Sequence, residues 1–100
     1  MSELFDLAVM REMASECGWS FAEFVDLYLR DANAEIEKLK AAASPEETAR
    51  VTHGLAGSSA TAGVTGMVSI LKKIEKGSGG IRAAEERLHA VEAALRALPP

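Results

Sequence analysis

Between Ser20 and Ser44 the chain runs without a glycine or a proline, and its apolar residues fall on one line. Phe21, Val25, Tyr28, Ala32, Ile36 and Leu39 are spaced by four, three, four, four and three residues, the period of one helix face. A stripe this long is a helix, and it needs a partner surface to bury it. Ser20 with Glu23 three residues on is a capping-box start. The helix is expected over about 20–43.

Four further helices follow from the same reading. Leu4, Leu7, Met10 and Met13 mark a short one over about 3–15, stopped by Gly18. Ser44-Pro45-Glu46-Glu47 supplies a cap, a proline suited to the first turn, and acids at the positive end of the dipole. It opens a helix expected over about 45–62, with Gly63 as its terminator. Met67, Ile70, Leu71 and Ile74 define the next, over about 65–76. Gly77-Ser78-Gly79-Gly80 breaks the chain. Ile81, Ala84, Leu88, Val91, Leu95 and Leu98 then form the last stripe, over about 81–98. No strand signal competes. The expected fold is all-α: an antiparallel four-helix bundle with a short additional N-terminal helix, one domain over 1–100. Its core is expected to include Phe21, Val25, Tyr28, Leu55, Ile70, Ile74, Leu88 and Leu95.

Composition excludes several classes. A net charge of −4 is not the basic footprint of a nucleic-acid binder. Cys17 is the one cysteine, so an internal disulfide and a cysteine-based metal site are ruled out. The two histidines, His53 and His89, lie far apart without a shared ligand pattern, so no metal or other cofactor is expected. No leader-like segment and no apolar run of membrane-spanning length is present, so a cytoplasmic, monomeric protein is expected. Cys17 and Trp19 are expected to pack at the first helix junction.

The third helix departs from the pattern. From His53 it reads His-Gly-Leu-Ala-Gly-Ser-Ser-Ala-Thr-Ala-Gly, with Gly54 and Gly57 inside the helix. Each costs about 1 kcal/mol relative to alanine, and local rules broken without local gain often mark function. Small residues here serve two ends: close approach of a neighbouring backbone, and removal of side chains from around His53. On the helical wheel Leu55, Ser58, Ser59 and Ala62 face the bundle, while Arg50, His53, Ala56, Gly57 and Ala60 share the opposite face. His53 is thus expected on a bare surface, with Gly57 leaving room for a group attached to the imidazole. The bland alternative is a surface histidine on a helix whose small residues serve packing. His89 is such a case and is given no role.

The segment His53-Gly54-Leu55-Ala56-Gly57-Ser58-Ser59, with Gly63 ten residues after the histidine, resembles the motif of histidine phosphotransfer (HPt) domains. The resemblance extends to Phe5–Met10, to Phe24–Ala32, and to Met67, Ile70, Leu71, Ile74 and Glu75. It implies a helical bundle that relays phosphate between the Asp of a receiver domain and its own histidine, here His53. Such a domain is a phosphocarrier in a two-component phosphorelay, not an autonomous kinase. Its partners are response-regulator receiver domains and, for some, a hybrid histidine kinase. It binds no nucleotide, and the receiver supplies the metal. Two departures stand out. The family's usual Lys is Ala56 here, which removes a cation one turn from the imidazole, and Gly54 follows the histidine directly.

Phosphoryl acceptance needs a neutral nucleophilic nitrogen and stabilised charge. One imidazole nitrogen must be held so that the other can attack. In a hairpin bent near Gly63 to Gly66, Glu75 lies level with His53, and the resemblance puts an acid at the same place. Glu75 is therefore the candidate for orienting the ring, against the alternative of a solvated boundary acid. Arg50, Lys72, Lys73 and Lys76 fall near the same level, where they could steer an acidic receiver or simply form a solvated charged face. Competing readings are an HPt-like adaptor without phosphate chemistry, an unrelated helical interaction module, and the dimerisation helix of a histidine kinase. The last usually carries an acid directly after its histidine, where this chain has Gly54.

Overall fold

In the computed structural model, which describes residues 4–77 and 80–99, two serines start the two longest helices. The Ser20 hydroxyl accepts from the Glu23 N–H and the Glu23 carboxylate accepts from the Ser20 N–H, the reciprocal capping box, which also holds the Glu23 carboxyl below its ordinary range. The Ser44 hydroxyl accepts from the Glu47 N–H, with Pro45 at the first helical position. The described residues form α1 (Leu7–Glu16), α2 (Phe21–Ala41), α3 (Pro45–Ala62), α4 (Thr65–Glu75) and α5 (Ile81–Arg96), with no strand among them. Contacts close a ring: α2 on α3, α3 on α4, α4 on α5 and α5 back on α2, with α1 packed against α2 and α3.

Several element ends differ from expectation. The first helix starts at Leu7, because residues 4–6 are used otherwise. The Asp6 N–H donates to the Gly63 carbonyl at 2.7 Å, and the Gly66 N–H donates to the Leu4 carbonyl at 2.9 Å. Asp6 then caps the helix by accepting from the Val9 N–H; Glu3 lies outside the described residues. α2 ends at Ala41, where Ala42 turns to extended backbone. α4 stops at Glu75 and α5 at Arg96, short of the expected ends. Of the glycine-rich connector, Ser78 and Gly79 lie outside the described residues, and Gly77 is left-handed at φ 81°.

The core runs the length of the ring. Met10, Ile36, Leu39, Leu55, Met67, Leu71, Leu88 and Val91 are buried almost completely. Val25, Tyr28, Ile74 and Leu95 join them as expected, but Phe21 and Ile70 are only half-buried at its edge. Of the two residues expected at the junction, Cys17 is exposed and Trp19 is partly so, lining a surface groove with Met13 and Leu27; Gly18 between them takes φ 73°. Arg11 covers the Phe21 ring at 4.7 Å. No helix among the described residues is long and apolar enough to cross a membrane.

Candidate functional site

α3 presents two unlike faces. Inward, Thr52, Leu55, Ser59 and Ala62 are buried. The Thr52 hydroxyl donates to the Thr48 carbonyl at 2.6 Å. The Ser59 and Tyr28 hydroxyls share a buried hydrogen bond of 2.7 Å that ties α3 to α2. Burial pushes the Tyr28 hydroxyl up to about 12, against the smaller opposing effect of that bond. Ser58, expected inward, is exposed, and its hydroxyl donates to the Leu55 carbonyl in its own helix.

Outward stands His53, with 79% of its side chain exposed. Its Nδ1 lies 3.6 Å from Glu75 Oε1 on α4, slightly beyond hydrogen-bond length and well within the reach of one bridging water. The pairing arises from the hairpin: α3 ends at Gly63, left-handed at φ 88°, and α4 begins two residues later and folds back along α3. A Cβ at Gly63 would stand 2.9 Å from the Val9 side chain and 3.2 Å from the Asp6 carbonyl, so the close approach of α1 to this bend requires glycine.

Gly54 and Gly57 are different. A Cβ added at either meets nothing within 4 Å. Of the two uses expected for these small residues, close backbone approach therefore falls away, and a bare surface beside His53 remains. Ala56 does not share that open face: it is buried, in the seam between α3 and its neighbours. Arg50, Lys72 and Lys73 are exposed, and His89 is exposed on α5. The sequence reading missed the α2 side of the site. Asp31, Ala34, Glu35 and Lys38 border Gly54 and Ser58 across a shallow groove, and a second, apolar groove runs from Trp19, Met13 and Leu27 to Gly57 and Thr61. The signal was available: Asp31 and Glu35 are four apart, on the flank of the α2 stripe. Among the described residues no three His, Cys, Asp or Glu side chains gather where a metal could be held.

The fold thus holds one imidazole out from a packed helix, with a carboxylate beside it. Residues 23–99 match the family model of the Hpt domain, and the chain belongs to that family. Domains of this family carry phosphoryl groups in two-component phosphorelays, as carriers rather than kinases, and interact with receiver domains and histidine kinases. The matched span begins inside α2, so α1 lies outside it. No curated protein and no solved structure matches the chain.

Proposed function

We propose that the chain is a single histidine phosphotransfer domain over 1–100, an antiparallel four-helix bundle with α1 added to it, which exchanges a phosphoryl group between His53 and the Asp of receiver domains. It acts as a cytoplasmic monomer with no cofactor of its own. The observation that carries the reading is the exposed His53 side chain with Nδ1 facing Glu75 at 3.6 Å, inside the span that matches the family.

The chemistry follows from that pairing. Drawn a few tenths of an ångström closer than its 3.6 Å, this contact becomes a direct hydrogen bond; a carboxylate only accepts, so Nδ1 then carries the proton and Nε2 keeps its lone pair. That lone pair attacks the phosphorus of a receiver's aspartyl phosphate. The N–P bond forms, the P–O bond to the aspartate breaks, and its electron pair returns to the receiver's carboxylate. The ring, still protonated at Nδ1, becomes positively charged, and Glu75 balances it. A metal bound by the receiver would neutralise the carboxylate that is released there. Glu75 acts through His53 and is a positioning residue. The bare surface at Gly54 and Gly57 admits the receiver to in-line distance, and Arg50, Lys72 and Lys73 favour its acidic pocket.

The test mixes the protein with a panel of phosphorylated receiver domains and follows acid-labile phosphate on the chain. His53→Gln is expected to accept none, and His89→Gln to behave as wild type. Glu75→Ala should slow transfer and spread the label over both ring nitrogens, which ³¹P NMR separates. Glu75→Ala with wild-type rate and a single Nε2 product would remove Glu75 from the mechanism.

A further inference from the structure

A phosphoryl group on His53 carries roughly 1.5 to 2 negative charges at neutral pH. By the proposed reading it arrives on a ring that already faces an acid, Glu75, at 3.6 Å. The arrangement needs a cation on the same face. Position 56 does not supply one: it is an alanine sunk in the α3 seam. The charge has to come from elsewhere, and four exposed side chains compete for the role: Arg50, Lys72, Lys73 and Lys76.

Helix geometry separates them. At about 100° per residue, Lys72 lies about 60° around α4 from Glu75, Lys76 about 100° and Lys73 about 160°. Lys73 falls within about 20° of Gly66 on the wheel, the side on which Arg87 of α5 donates to the Gly66 carbonyl. Arg50 and Ala56 stand about 60° to either side of His53 on α3. Arg50 takes the side of Gly54, which opens toward Asp31, Glu35 and Lys38 of α2. Lys72 remains. Three residues nearer the bend than Glu75, it is about 4.5 Å along the helix from the carboxylate and level with Ala56. Its stem can lie over that alanine while the ammonium reaches the open space beside Gly57. Its ammonium makes neither a hydrogen bond nor an ion pair among the described residues, so its charge is not already committed.

We infer that Lys72 of α4 is the cation that holds the phosphoryl oxygens on His53, taking from the neighbouring helix the part that position 56 leaves vacant. The role rests on the phosphocarrier reading. Glu75 then faces the protonated ring nitrogen and Lys72 the phosphate bonded to the other, so the two α4 residues stabilise opposite charges of one phospho-imidazole.

The experiment uses end points, because docking alters the rate of exchange but not the equilibrium between the free phospho-species. Wild type, K72Q, K72R and K72E are loaded with phosphoramidate, which phosphorylates exposed histidines without a partner. Each is mixed with receiver domains and Mg²⁺, and phospho-His and phospho-Asp are quantified at equilibrium. K72Q should shift the ratio away from His53 by about two- to fivefold, the range of an exposed charge contact. K72E should shift it further, K72R should restore it, and the difference should shrink in high salt. Thermal unfolding should not separate the variants. Equal end points for wild type and K72Q overturn the role of Lys72 while leaving the carrier reading intact, and so does a slower approach to an unchanged end point. A wild-type protein that takes no phosphate, or passes none to any receiver, overturns the carrier reading and this role with it.

Discussion

α2 and α3 are neighbours of similar length, 21 and 18 residues, built on opposite principles. α2 has no glycine, a reciprocal cap and seven buried residues spread along its whole length. α3 has two glycines in its middle where an added Cβ would meet nothing, and an imidazole left almost bare between solvent and a carboxylate. What α2 gains in packing, α3 gives up on its outer face. The lesson is that the inner face of α3 must hold the helix alone. It does so with Leu55 and with the Tyr28–Ser59 hydrogen bond, which binds the irregular helix to the regular one.

The largest effects should come from swapping the two faces of α3. His53→Gln should abolish phosphate uptake with little change in the urea midpoint, since its side chain is 79% exposed. Leu55→Ala, at 2% exposure, should cost about 2–5 kcal/mol in the same unfolding experiment. A loss below half of the lower value would show that the inner face does not carry the helix.

A smaller effect tests the tie between the helices. Tyr28→Phe leaves the buried Ser59 hydroxyl without its partner and should cost about 1–3 kcal/mol. It should also change the alkaline limb of stability. The Tyr28 hydroxyl is raised from 10.0 to about 12 in the folded protein. The unfolded chain therefore loses this proton first as pH rises. The contribution is complete below 10.0 and is lost between 10.0 and about 12. Wild type should lose stability across that window faster than Tyr28→Phe. Parallel curves would mean that the hydroxyl ionises alike in both states.

The smallest effects have the opposite sign. Gly54→Ala and Gly57→Ala should each stabilise the protein by about 1 kcal/mol, because the added methyl meets open space. If the outer face is bare for access, Gly57→Ala should also slow exchange with a receiver. Gly63→Ala is the control: with φ 88° and Val9 at 2.9 Å it should destabilise by at least about 1–2 kcal/mol.

The helices were legible because capping and periodicity are local. Ser20, Ser44, Pro45 and Gly63 mark their boundaries within a few residues of sequence, and α3 ends where Gly63 says it should. The start of α1 was not legible, since residues 4–6 answer to Gly63 and Gly66, some sixty positions away. In the site, the Glu75 approach to His53 followed from counting residues either side of one bend. The placing of Ala56 did not. A wheel assigns it to the open face by its angle from His53, whereas in the folded bundle it is buried. Side-chain size decides such boundary positions, because a single methyl sinks into a seam from which a longer chain would emerge. The acids of α2 were missed for a related reason: which helix flanks Gly54 is a property of the closed ring, not of any one stripe.

Trp19, which turns outward after Gly18, has an optical consequence. It is the chain's one tryptophan, 41% exposed, and it lines a groove whose far wall includes Gly57 and Ser58, one turn from His53. Its emission reports the wetness of that groove. A molecule seated against the far wall dehydrates the indole and moves its fluorescence to shorter wavelength, while receiver domains engineered without tryptophan stay dark under the same excitation. Engagement of the α3 face can thus be timed in a stopped-flow mixer without a dye, and separated from the later appearance of phosphate on the imidazole.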